Sequence, residues 1–331
     1  MKHRVSAAPF MVLAVIMITL AGTGGCTRNQ RPVPRIAFTS ILPQKDFVEH
    51  IAGNRFEVHA LVGPGQSPHS YTPTPAQMAR LSEAAVLFRT GVEFEEGILP
   101  RLRKSLPNLL IVDLRATIVL RDMTAQEAHH HHHRDDEDPF DDEDHKHANH
   151  DHARHPTHQH GHARGKDPHI WLSPRLVKIQ AATIANTLAM LDEEARETYL
   201  NNQEKFVAQL DALHAELQQL LGPFKGKELF VFHPAFGYFA DEYGLRQRAV
   251  ETGGKEPGAQ ALARLLDAAA LHRPGAIFVQ PQYSEKSARV LAAQIGCAVV
   301  PINPLPERYL PEMRRMGEAI RASLATVPLP Q

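Results

Sequence analysis

Residues 128–165 contain a single large apolar side chain, Phe140. A segment of that composition cannot bury enough surface to offset its chain entropy, so it is expected to be disordered without metal. The sequence on either side must therefore build its core without it. The same segment holds thirteen of the 21 histidines: His129, His130, His131, His132, His133, His145, His147, His150, His152, His155, His158, His160 and His162. Between them lie the acids of 135–144. An expression tag does not fit an internal tract that continues irregularly to 162. Neutral imidazole is a ligand for zinc, copper, nickel and iron. The tract therefore reads as an auxiliary, weak metal site of poor selectivity. It runs into Asp167-Pro168-His169-Ile170-Trp171-Leu172-Ser173, which is apolar and proline-braced. A specific ligand is expected there rather than in the tract.

The first 34 residues carry an address. Lys2 and Arg4 precede an apolar core from Phe10 to Leu20, too short to span a bilayer well. Small residues 21–25 lead to Cys26. This predicts an export signal over 1–25. A cysteine directly after small residues resembles a bacterial lipoprotein site, with Cys26 as the lipidated first residue and 26–34 as a polar tether. Thr23 stands where such sites usually carry Leu, and the alternative is an ordinary cleaved signal. The only other cysteine, Cys297, sits among Ile295, Ala298 and Val299 and is expected to be a buried thiol. No disulfide framework follows from two cysteines.

The rest alternates short apolar runs with helical patterns, which predicts α/β architecture with mainly parallel sheets. Strands are expected at 35–39, 56–62, 85–89 and 109–113, with helices at 44–52, 76–82 and 95–104. After the insertion, Ser173 caps a helix that opens with Pro174; Leu176, Ile179, Ile184, Leu188 and Leu191 are its expected apolar face. A second helix from about 193 to 221 carries Phe206, Leu210, Leu213, Leu217 and Leu220 at helical spacing. It is long enough to join two lobes. A second series follows: strands at 228–232, 276–279 and 298–302, helices through 239–243 and at 258–271, 284–294 and 308–325. The domain reading is thus an N-terminal lobe over 35–173 including the insertion, a helical connection over 174–223, and a C-terminal lobe over 224–331.

His69, His169 and His233 share one context, each in a loop beside proline. Ligands of open α/β sheets bind at the carboxyl ends of strands, so loops of two lobes facing a cleft could bring the three together. His59, His214 and His272 read as surface residues. The formal charge of −1 and the lack of a basic stripe argue against nucleic acid.

Three motifs carry a resemblance. Ser67-Pro68-His69-Ser70-Tyr71-Thr72-Pro73-Thr74-Pro75 with Gly91-Val92-Glu93-Phe94-Glu95 resembles the first-ligand region of the zinc-binding solute-binding proteins of ABC importers, the ZnuA/TroA-like group of the cluster A-I metal-binding family. Asp167-Pro168-His169-Ile170-Trp171-Leu172-Ser173-Pro174 is similar to that family's second-ligand motif, and Phe232-His233-Pro234-Ala235-Phe236-Gly237 to its third. Gln280-Pro281-Gln282-Tyr283 and Asn303-Pro304-Leu305 fit its C-terminal pattern. The resemblance covers about residues 35–325. It implies two Rossmann-like α/β lobes joined by one long rigid helix, with zinc in the interlobe cleft. It further implies a monomer that meets the membrane only through a lipid anchor and delivers zinc to a permease with its ATPase. A His-rich acidic insertion before the second ligand is also a feature of zinc-specific members.

The departures concern the fourth ligand. The family usually places Asp where this chain has Asn303, and commonly Glu where it has Gln280. The metal set expected here is His69, His169 and His233, with Asn303 or water in the fourth position. Three histidines with no evident acid favour zinc over manganese, which prefers anionic oxygen. Alternatives of another kind are a manganese or iron receptor of the same fold, and a metal-buffering surface lipoprotein or adhesin. A secreted zinc enzyme is disfavoured, because no His-Glu-x-x-His motif is present.

Overall fold

A computed structural model describes residues 35–124, 165–251 and 259–326, which form one compact unit. The expected signal 1–25, the tether with Cys26 and the thirteen-histidine tract lie outside the described residues. Among those described, no helix is long and apolar enough to cross a membrane.

The first lobe contains β1 (Arg35–Thr39), α1 (Leu42–Ala52), β2 (Phe56–Ala60), α2 (Pro75–Leu81), β3 (Val86–Arg89), α3 (Glu93–Ser105) and β4 (Leu110–Asp113). Its sheet runs β2-β1-β3-β4, with every pair parallel. Local chemistry sets the boundaries. Thr74 caps α2 in a capping box with Gln77, and Pro75 supplies the first turn, where no N–H is needed.

Two helices then connect the lobes. Ser173 caps α4 (Pro174–Leu191) by accepting from the Leu176 N–H, as its position before Pro174 predicts. A tight turn at Glu193–Ala195 leads into α5 (Arg196–Leu221), whose 26 residues extend about 39 Å. Tyr199, Phe206, Leu210, Leu213, Leu217 and Leu221 form its buried face. This face meets α1 of the first lobe and α9 (Tyr309–Ala325) of the second. Against α9 the approach is close: a Cβ on Gly317 would stand 2.3 Å from Leu217 Cδ2. The expected apolar face of α4 is corrected. Val177, Ala181, Ile184, Ala185 and Leu188 are buried, whereas Ile179 is 37% exposed. A pattern weighted to large side chains passes over the three alanines that the helix buries, Ala181, Ala185 and Ala189.

The second lobe repeats the scheme with β5 (Glu228–Val231), α6 (Gly237–Tyr243), β6 (Arg246–Ala249), α7 (Ala259–His272), β7 (Ala276–Val279), α8 (Glu285–Ile295), β8 (Ala298–Pro301) and α9. Its sheet runs β6-β5-β7-β8, again all parallel. Both lobes thus share one strand order. Strand β6 was not among the expected elements. Its sequence, Arg-Gln-Arg-Ala, is polar, as suits an edge strand, and Arg248 secures it through a bidentate pair with Glu228 on β5, at 3.0 and 3.2 Å. Cys297, expected to be buried, is half-buried beside the smaller apolar cluster of this lobe.

Candidate metal centre

The two sheets present their strand ends to a common cleft. His69 lies in the loop after β2, and His233 follows β5, from which the chain connects first to β6 on one side and then to β7 on the other. His169 precedes a short turn, Ile170–Leu172, that opens α4. The three rings converge. One potential ligand atom from each lies within 4.8 Å of the others. His69 Nε2 and His233 Nε2 are 3.0 Å apart. Zinc–nitrogen bonds of about 2.0–2.1 Å in a tetrahedral set place two ligand atoms about 3.3 Å apart, so the pair is already near the spacing that one ion requires. His169 and His233 are each 3% exposed. The pocket they line with His69 holds about 20 Å³, room for one ion or water and for no organic ligand.

Each ring is oriented from behind by a carboxylate. Asp167 Oδ1 is 2.7 Å from His169 Nδ1, Glu251 Oε1 is 2.5 Å from His233 Nδ1, and Glu93 Oε2 is 3.3 Å from His69 Nδ1. A carboxylate at Nδ1 selects the tautomer that carries its proton there and leaves Nε2 as the electron donor. The candidate ligand group itself contains only the three histidines. No acid belongs to the trio of rings, but three stand one bond behind it. With the imidazoles neutral, the carboxylates outnumber the one guanidinium beside them, Arg121, so the surroundings favour a cation.

Asp167 is held hardest. It is fully buried, Arg121 Nη1 lies 2.8 Å from its Oδ2, and the His169 N–H donates to its Oδ1 at 2.9 Å. Burial alone would raise its pKa; the His169 ring, the His169 N–H and Arg121 outweigh burial and hold it below the ordinary carboxylate value. Arg121 also reaches Asp241 on α6 at 3.1 Å. The Tyr238 hydroxyl donates to the Asp167 carbonyl at 3.0 Å and accepts from the Arg121 N–H at 3.1 Å. Helix α6 belongs to the second lobe, so His169, which precedes the connecting helices, is braced from that lobe. Gly237 makes room for this: a Cβ there would stand 1.6 Å from Arg121 Nη1. The two ends of the insertion meet at the same place, through an antiparallel bridge between Asp122 and Lys166.

The second lobe fixes His233 on both sides. Gln280 Oε1 accepts from the His233 N–H at 3.2 Å, and Gln280 Nε2 donates to the His233 carbonyl at 2.9 Å. A glutamate could make the first bond but not the second. Tyr283 stacks on the His233 ring at 4.8 Å, and Trp171 Nε1 donates to the Pro304 carbonyl at 2.7 Å, tying the two lobes together beside the pocket.

Asn303, the expected fourth position, does not line the pocket of the three rings. Its Oδ1 accepts from the Leu305 N–H at 3.0 Å and from Gln282 Nε2 at 3.3 Å. It borders instead a neighbouring cavity of about 380 Å³ beside Arg308 and Arg315. The oxygen expected to face the metal is engaged in its own turn. His59, His214 and His272 do not join the cluster. His59 stacks on Phe38 at 5.1 Å, and half-buried His214 has Glu242 Oε1 2.9 Å from its Nδ1.

Residues 38–323 match the model of the family described as zinc-uptake complex component A, periplasmic, ZnuA. The chain belongs to this family. The high-affinity zinc uptake system protein ZnuA of Yersinia pestis is 30% identical over 248 residues, covering 74% of this chain and 75% of that protein. The zinc-binding lipoprotein AdcA of Streptococcus pneumoniae is 28% identical over 283 residues; the match covers 85% of this chain but 52% of AdcA, so the chain spans about half the length of that relative. A crystal structure of ZnuA superposes with a TM-score of 0.74 at 33% identity, covering 88% of this chain and all of that one. The two-lobe α/β fold with a long joining helix is thus shared with solved members of the family.

Proposed function

We propose that this protein captures zinc outside the cytoplasm and delivers it to the permease of an ABC importer. The observation that carries the reading is the convergence of His69, His169 and His233, each backed by a carboxylate, in a pocket the size of one ion. The relatives named for zinc uptake and zinc binding support the same cargo. Neutral nitrogen donors favour zinc over manganese, which depends on anionic oxygen in direct contact. The thirteen-histidine tract is proposed as a weak collecting region. Cys26 is proposed as a lipid anchor that keeps the protein beside its permease.

The test is a competition titration of the purified protein against a zinc chelator, with metal analysis, repeated with manganese. Tight binding of one zinc per chain is expected, together with much weaker manganese binding. Equal or tighter manganese binding, or no tight zinc, overturns the proposal. Mass spectrometry of membrane-extracted protein tests the anchor, which requires a mature chain that begins at a diacylglyceryl-modified Cys26.

A further inference from the structure

We propose that Gln282 is a fourth metal-facing residue, presenting its side-chain oxygen Oε1 to the zinc ion or to a water bound on it. The inference rests on the zinc reading of the three-histidine site and deepens it.

Gln282 lines the same pocket as the three histidines. Its Oε1 is buried and accepts no hydrogen bond. A buried carbonyl oxygen without a donor destabilises a fold, and such groups mark places where an ion or water completes the shell. The amide cannot simply turn over to relieve this. The Leu305 N–H requires an acceptor in Asn303, which fixes Oδ1 on that side. Gln282 must then offer its NH₂ group to Oδ1, as it does at 3.3 Å. Its oxygen is left for the opposite side. The flanking residues hold the segment still: Gln280 makes two bonds to the His233 backbone, and Tyr283 stacks on the His233 ring.

The role of Asn303 follows. It is a positioning residue that orients the amide of Gln282. A carboxamide oxygen is a neutral donor, so the set of three imidazoles and one amide adds no anionic oxygen and keeps the preference for zinc over manganese.

The experiment uses the full chain, with zinc alone as the probe, and compares wild type, His69→Ala, Gln282→Leu and Gln282→Met. Both Gln282 variants should lose zinc affinity by roughly tenfold or more, the scale of outer contacts at metal sites. The melting temperature of the metal-free protein should stay the same or rise, because an unsatisfied acceptor has been removed. A purely structural glutamine would give the reverse, a lower melting temperature with unchanged affinity, and that result overturns the proposal. A crystal structure of the zinc-loaded protein locates the oxygen. Oε1 at about 2.0–2.2 Å from zinc means direct ligation, and Oε1 at about 2.5–3.0 Å from a zinc-bound water means contact through that water. Oε1 beyond one intervening water sinks the idea. If His69→Ala weakens binding while both Gln282 variants titrate as wild type, only this inference fails. If wild type itself binds no zinc tightly, the underlying reading fails with it.

Discussion

His69 Nε2 and His233 Nε2 stand 3.0 Å apart, although 164 positions separate the two residues in the chain. Each ring has a carboxylate at its Nδ1, so the two facing atoms both carry lone pairs. At that distance a cation, either a proton or a metal ion, belongs between them. The fold brings the strand ends of two separate sheets together at a contact that a single cation completes.

Replacing any one of the three histidines with alanine should therefore reduce zinc affinity by more than the roughly 10–100-fold typical of outer contacts. Competition titration measures it. Wild-type titration by all three single variants would mean that the cluster does not hold the cargo.

The carboxylates behind the rings should rank by burial. Glu251 is 2% exposed and contacts a ring that is itself buried, whereas the Glu93 side chain is 44% exposed. Water can replace Glu93 at His69 but has little access to His233. Glu251→Gln is expected to weaken zinc binding by roughly 10–100-fold, and Glu93→Gln by distinctly less. The reverse ranking in the same titration would show that solvent access does not set the orientation of these rings.

Gly237→Ala should disturb the metal without touching any ligand. The added methyl would overlap Arg121 Nη1 and approach Asp167 Oδ2 to 2.7 Å, so either the ion pair or helix α6 must move. Overpacking of this kind costs about 1–3 kcal/mol. Asp167 is the partner of His169, so zinc affinity should fall along with the melting temperature. A variant with lowered stability and unchanged zinc affinity would separate Arg121 from the site.

Acid should weaken the join between the first lobe and the connecting helices. Arg55 donates to Asp192 at 2.6 Å, the Tyr199 hydroxyl donates at 2.6 Å, and Arg35 lies 3.2 Å away. Arg55, the largest cause, holds the Asp192 pKa at about 2, against an ordinary 3.8. A depressed folded-state pKa contributes stability that is complete above the unfolded value and lost as pH falls through the folded one. The contribution is present above pH 4 and disappears between about 4 and 2. It amounts to about 1–2 kcal/mol once the partial exposure of both arginines is allowed for. Urea unfolding of Asp192→Asn should show that deficit at pH 7 and progressively less of it below pH 4.

Much of this was legible in the sequence, for identifiable reasons. Among the described residues, seven of the eight strands are largely apolar stretches bounded by turn residues, and Ser173-Pro174 announces a helix start. His69, His169 and His233 stood out by their loop and proline context. The exception, β6, is a charged edge strand held by the Arg248–Glu228 pair, which apolar periodicity does not register. Missing it hid Glu251, which lies two residues beyond its end and 18 residues from its partner His233. A signal was present: Leu245 and Val250 bracket a polar run just after the Gly244 turn. Asp167 and Glu93 lay inside the quoted motifs, but their roles depend on which ring nitrogen they face, and only coordinates carry that.

Asn303 shows where family pattern and local chemistry part. The family's usual acid at this position implies a residue that faces the metal, and on that basis Asn303→Asp would strengthen manganese binding selectively. The structure engages Asn303 Oδ1 with the Leu305 N–H and Gln282 Nε2 instead. An aspartate oxygen can accept both of those bonds unchanged, and its second oxygen replaces an NH₂ whose contact to the Leu305 carbonyl is long, at 3.4 Å. That oxygen would meet the carbonyl with like partial charge, a small local penalty, and would remain off the ion. Asn303→Asp is therefore expected to leave zinc affinity within about threefold of wild type, a difference of under 1 kcal/mol, with no selective gain for manganese. Side-by-side titration with both metals decides it: a manganese affinity that rises tenfold while zinc stays fixed would mean that the new carboxylate swings into the pocket and that residue 303 is a ligand position after all.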